Sequence, residues 1–156
     1  MAAEGLLERV HALDAAAKEA RRPADRPAVE VPPASLPAFM EKLAHEPDLA
    51  FDMLCAHTAV DWLADGEFEL VYQLYSTTRR HYLQVSVFVP REDPVVPTVC
   101  RIWPIAEWQE REVYDLFGVL YRDHPDLRRL FLEDDWEGFP LRKDYKDDFM
   151  LDERPQ

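Results

Sequence analysis

His57 and Asp61 are the pair in this 156-residue chain whose types and spacing could do acid–base chemistry. An imidazole can move a proton near neutral pH, and a carboxylate four positions on could orient it. Such a pair without a neighbouring nucleophile is more commonly structural; a hydrolase built on it would turn over substrate as an isolated chain. The remaining histidines, His11, His45, His81 and His124, form no HExxH pattern and never stand four apart, so no metal-binding set is expected. GxGxxG, GxxxxGK[ST] and GxSxG are absent, and four glycines leave little material for a backbone phosphate cradle. Cys55 and Cys100 make neither a zinc pattern nor an iron–sulfur array nor a disulfide framework, which points to a reducing compartment. The sequence offers no persuasive site for redox chemistry of its own.

The densest run of charge and aromatic residues lies between positions 110 and 145. Three blocks stand out: Glu110-Arg111-Glu112-Val113-Tyr114-Asp115-Leu116-Phe117-Gly118, then His124-Pro125-Asp126-Leu127-Arg128-Arg129, then Asp135-Trp136-Glu137-Gly138-Phe139-Pro140-Leu141-Arg142-Lys143-Asp144-Tyr145. Aromatic residues and arginine are favoured at protein interfaces, so Trp136, Phe139, Arg142 and Tyr145 read as a docking face; a loop packed on its own core is the plainer alternative. His-Pro-Asp is also the mark of J-domain cochaperones, but those place it after a strongly basic helix, and here the preceding segment is acidic. Pro125 is expected to set an extended turn, and Asp126 to cap a short helix over residues 127–130.

The elements that must position these blocks follow from periodicity. Residues 2–21, with Leu6, Leu7, Val10, Leu13 and Ala17 at helical spacing, predict an amphipathic helix. Arg22 to Pro33 carries four prolines and reads as a linker, with an extended segment at Val29-Glu30-Val31. Ser35 is placed to cap a second helix ending near His45, with Leu36, Phe39, Met40 and Leu43 as its buried stripe. Phe51 to Val60 reads as extended. Alternation in residues 68–75 and 82–89 predicts two strands joined through Thr77-Thr78-Arg79-Arg80.

Pro104 opens a third helix, closed by Gly118, whose apolar face gathers Ile105, Trp108, Val113, Leu116 and Phe117. Glu112 falls within that face and so needs a cation, expected among Arg128, Arg129 and Arg142. Glu107 and Asp115 each stand four residues from Arg111, a spacing for weak ion pairs. Helices before and after a hairpin predict a single α+β domain with a mostly antiparallel sheet flanked by helices, plus an N-terminal helix and an extended C-terminal docking segment. The divisions expected are 1–28, 29–118 and 119–156.

Net charge is −13, which excludes general adhesion to nucleic acid or anionic lipid. The start lacks the basic and apolar regions of a signal peptide, and no run approaches a membrane span, so membrane attachment would come only through a complex.

The three blocks, in order and spacing, resemble the signature of the 30 kDa-type (C-type) subunit of the proton-pumping NADH:quinone oxidoreductase (complex I). Weaker likeness extends upstream through Cys55–Trp62 and Asp93–Val99. The resemblance implies a peripheral-arm subunit on the cytoplasmic face of the membrane, bound to the hydrogenase-like (D-type) large subunit and other peripheral-arm subunits. NADH, FMN, iron–sulfur clusters and quinone would all be held elsewhere in the complex. It assigns docking or structural roles to Glu110, Arg111, Glu112, Asp115, Gly118, His124, Pro125, Asp126, Arg128 and Arg129. The third block adds Trp136, Gly138, Phe139, Pro140, Arg142, Lys143, Asp144 and Tyr145. Lys146 departs from the pattern, which has proline after the Asp-Tyr pair. The alternatives are the equivalent subunit of a membrane-bound [NiFe] hydrogenase or a ferredoxin- or F420H2-linked relative, and a free-standing interaction adaptor.

Overall fold

A computed structural model describes residues 3–147. Its centre is the hairpin that alternation predicts: strands β4 (Glu67–Ser76) and β5 (His81–Pro90) pair antiparallel through an unbroken register from Glu67↔Pro90 to Ser76↔His81. β3 (Met53–Trp62) pairs antiparallel with β4, with a bulge between Leu54 and Ala56. On the other side β2 (Ala28–Glu30) runs parallel to β5, and β1 (Lys18–Glu19) pairs antiparallel with β2. The order is β1-β2-β5-β4-β3, so the fold is α+β with a mostly antiparallel sheet, as the sequence implies.

One face of the sheet carries Phe68, Leu70, Tyr72, Leu74, Leu83, Val85 and Val87, all fully buried. Period two puts them on one side, and burial of that much apolar area supplies most of the driving force for folding. α2 (Leu36–His45) buries the expected stripe of Leu36, Phe39, Met40 and Leu43. Ser35, however, makes no side-chain cap; a 3₁₀ turn over Pro33–Ser35 leads into the helix instead. α1 (Ala3–Leu13) adds Leu6 and Val10 to the same core.

α1 stops eight residues short of the predicted end. Asp14 accepts the Ala16 N–H at 2.8 Å on its side chain and the Ala17 N–H at 3.1 Å on its carbonyl. Such local bonds compete with helix and turn the chain into β1. The expected linker contains the extended segment foreseen at Val29–Val31, now a strand with Val31 N–H bonded to Ser86. The residues before it cross the outer face of the sheet. Arg21, Arg22 and Arg26 stack over Phe88, Trp62 and Tyr82 at 3.9–4.0 Å.

α3 (Ala106–Phe117) ends at Gly118 in the left-handed conformation (φ 78°), as its position suggests. Its buried face differs from the predicted one. Ile105 and Trp108 lie about half exposed, while Ala106, Glu110, Arg111, Val113, Asp115 and Phe117 turn inward. Counting only apolar residues shifts the stripe, because three of the inward positions are charged and satisfied by neighbours. A short parallel pair, β6 (Val95–Pro97) with β7 (Leu120–Arg122), was not expected; it brackets α3 and fixes both of its ends.

Candidate docking site and its buried charged frame

The helix α3 presents Asp115 inward at the level of the loop that follows β7. One Asp115 oxygen accepts the backbone N–H groups of Leu130, Phe131 and Leu132 at 3.1, 2.7 and 3.0 Å. The other meets Arg129 Nη1 at 2.9 Å. Burial alone would raise this carboxyl, but Leu132, Arg129, Phe131 and Leu130 together outweigh it and hold it below the ordinary aspartate value. Arg129 then reaches on to the carbonyls of Trp136 (2.8 Å) and Gly138 (3.0 Å). Both ends of the 130–138 loop are therefore tied to one ion pair.

Arg111 performs the matching task for the second block. It donates to the carbonyls of Arg128 (3.2 Å) and Arg129 (3.1 Å) and stacks on Trp108, so the expected pairs with Glu107 and Asp115 do not form. His124 takes the Asp126 N–H on Nδ1, which leaves the proton on Nε2 to bond the Glu107 carbonyl at 3.0 Å. No helix forms over residues 127–130: Asp126 pairs with the exposed Arg128 side chain, and the backbone is drawn straight by Arg111 and Asp115.

The third block closes over the C-terminal end of α3. A helix leaves its last carbonyls without partners. Here Leu141 N–H bonds the Leu116 carbonyl at 3.0 Å, and Arg142 Nε bonds that of Phe117 at 2.6 Å. Gly118 makes room: a Cβ there would stand 2.5 Å from the Phe139 ring and 2.8 Å from Arg142. Burial and the nearby Arg91 depress the Arg142 guanidinium. From the sheet, Asp61 grips Arg91 through both oxygens (2.7 and 3.1 Å) and accepts the Lys143 N–H at 2.8 Å. Arg91 also holds Asp144 at 2.6 Å. Tyr145 packs beneath Gly138, where a Cβ would lie 2.9 Å from its ring.

Glu110, not Glu112, is the carboxylate that needs explaining. Glu112 is exposed and meets none of Arg128, Arg129 or Arg142, which corrects the expected brace. Of the two residues expected to flank it, Trp108 is about half exposed and Leu116 only partly buried. Glu110 is fully buried, bonded by the Thr98 hydroxyl and by Val99 N–H at 2.8 Å, with the neutral His124 ring at 3.9 Å. Burial raises its carboxyl to about 7, against the opposing pull of those two donors.

His57 and Asp61 share a strand face but not a bond. His57 gives its Nδ1 proton to the Val71 carbonyl (3.0 Å), takes the Tyr121 hydroxyl on Nε2 (2.5 Å) and stacks on Tyr72. Burial depresses it to about 4. Each residue is occupied by other partners, so the pair is not an acid–base dyad. Among the described residues no group of three or more histidine, cysteine, aspartate or glutamate side chains could hold a metal.

Arg91 and Thr98 carry much of this frame without standing out in the sequence, and Asp61, which does stand out, serves the frame and not His57. The signal for that role is periodic: Asp61 continues the inward alternation of His57 and Ala59.

These features define an α+β domain in which a C-terminal segment is folded back and locked by buried ion pairs. Solved structures that share the fold include the following two. One is the membrane-bound sulfane sulfur reductase, an archaeal respiratory membrane complex (TM-score 0.78, 30% identity, 92% of this chain and 85% of that one). The other is a trypsin-resistant fragment of Nqo5 (TM-score 0.64, 32% identity, 81% and 100%). The family of the respiratory-chain NADH dehydrogenase 30 kDa subunit matches residues 29–148, and the chain belongs to it.

The C-type subunit of NADH-quinone oxidoreductase from Chloroherpeton thalassium is 46% identical over 99 residues, covering 63% of this chain and 41% of that protein. Across that and four further curated relatives, the chain spans 41 to 65% of the relative's length. No helix among the described residues is long and apolar enough to cross a membrane.

Proposed function

We propose that this chain is a non-catalytic subunit of the peripheral arm of NADH:quinone oxidoreductase. In that reading it binds the hydrogenase-like large subunit on the cytoplasmic face and supports, by assembly, electron transfer from NADH to quinone coupled to proton translocation. The observation that carries it is the locked C-terminal segment. Asp115, Arg129 and Arg142 spend their bonding capacity holding a backbone in place, while Phe131, Trp136 and Leu141 stay exposed at 66%, 38% and 51%. A shape prefixed in this way loses little entropy on docking. The redox groups are assigned to other subunits, and no step is assigned to His57 or Asp61.

A second reading, the equivalent subunit of a hydrogenase-type relative, is favoured by the likeness to the sulfane sulfur reductase complex over 92% of the chain. Affinity purification of the tagged chain from gently solubilised membranes separates the two. Recovery with a hydrogenase-like large subunit and a flavoprotein that oxidises NADH is the expected result. The same large subunit without that flavoprotein would favour the second reading, and recovery of the chain alone would overturn both.

A further inference from the structure

Two basic residues of the second and third blocks are not available to a partner, although Arg128 and Lys143 remain exposed. Arg129 and Arg142 are turned inward, onto Asp115 and onto backbone carbonyls. What the 131–138 loop shows to solvent is four carboxylates, Glu133, Asp134, Asp135 and Glu137, interleaved with the exposed rings of Phe131 and Trp136. No cation lies within that stretch, and none of the four carboxylates forms an ion pair with a described residue, though the exposed Arg128 beside the loop feels the charge of Asp134. The loop's backbone is tied at Leu130, Phe131 and Leu132 by Asp115, and at Trp136 and Gly138 by Arg129. It also turns on itself through Trp136 N–H to the Glu133 carbonyl at 3.0 Å.

Aromatic rings held exposed on a braced loop offer a partner apolar area at little entropic cost. Four unpaired like charges around them repel one another and any acidic surface, and they attract a basic one. We propose that this loop docks against a cationic protein surface, one presenting lysine or arginine side chains around an apolar recess that receives Phe131 and Trp136. Resting on the function proposed above, this assigns the chemistry of the partner's face: the large subunit meets this chain with a basic patch. The rings supply the buried contact, and the carboxylates set orientation and speed of encounter.

The test uses the complex purified through the tagged chain, read as retention of the large subunit while NaCl rises between roughly 50 and 500 mM, a range over which charge screening changes severalfold. One variant removes three of the loop's four charges with Asp134→Asn, Asp135→Asn and Glu137→Gln. A control removes as many charges elsewhere, at the exposed Glu8, Glu19 and Glu41. A third variant carries Phe131→Ala and Trp136→Ala.

The charge-depleted loop is expected to release the large subunit at lower salt and to rebind roughly tenfold more slowly, with the control near wild type. The aromatic variant should bind weakly at every salt concentration with an unchanged salt dependence. The substituted carboxylates are exposed and unpaired, so thermal melts should confirm an intact fold. Release of the charge-depleted variant at wild-type salt overturns the cationic partner while leaving the docking function standing. Failure of the unmodified chain to recover the large subunit removes both.

Discussion

At the scale of single residues the clearest consequence concerns Glu110. Its carboxyl is buried beside Thr98, Val99 and the neutral ring of His124, with Tyr72 and Tyr121 close enough to feel its charge. The folded value of about 7 stands above the unfolded value, so the native state binds the extra proton between the two. The stability this contributes is fully present below the unfolded value and is lost as pH rises through about 7. His57 acts in the opposite direction. Depressed to about 4 from 6.5, its contribution is present above the unfolded value and lost as pH falls through about 4. Between these limits the two slopes oppose one another.

Glu110→Gln keeps the shape and removes one slope. Measured by urea unfolding, the variant should gain on wild type as pH rises from 5 to 8, by up to about 3 kcal/mol. A constant offset across that range would show that Glu110 does not take up a proton on folding.

At the scale of elements, the end of α3 shows what was legible and what was not. The hairpin, the stripe of α2 and the closing glycine of α3 were readable because local periodicity and a single backbone conformation decide them. The inward face of α3 was not, because Glu110, Arg111 and Asp115 are buried by partners 11 to 18 residues away, which no helical wheel contains. Several residues of the three blocks nevertheless meet in the structure. Arg111, Asp115 and Arg129 hold the second and third blocks, and Gly118 admits Phe139 and Arg142.

That close approach gives a contrast within one chain. Gly66 and Gly118 both have positive φ, 69° and 78°, but a Cβ on Gly66 meets nothing within 4 Å. Gly66→Ala should cost only the backbone strain, about 1 kcal/mol. Gly118→Ala adds collisions with a ring packed against Tyr114 and with Arg142, and should cost about 2–4 kcal/mol while freeing the third block. Thermal melts give the first quantity, and faster proteolysis within residues 130–147 of the Gly118 variant alone gives the second. Equal losses in the two variants would mean that the block does not rest on that glycine.

At the scale of the whole molecule, 31 acidic against 18 basic side chains leave a net charge of −13, and the cations are unevenly used. Arg91 and Arg129 are each committed to a buried aspartate, Asp61 and Asp115. Arg9, Arg21, Arg22, Lys42 and Arg79 sit in exposed or half-exposed pairs. Exposed pairs contribute about 0.2–1 kcal/mol each, and salt weakens them. Repulsion among the surplus carboxylates acts over the whole surface, and salt weakens that as well. The buried pairs, which brace the C-terminal segment, are screened least. The surplus of acid should therefore govern how the isolated fold responds to salt: its melting midpoint should rise from low salt to roughly 300 mM NaCl, over which the screening length falls severalfold. Association through the acidic loop should weaken over the same range, since there opposite charges meet. Fold and assembly thus respond to salt with opposite signs, and a protein whose midpoint fell with added salt would owe its stability to surface pairs more than to its core and buried frame.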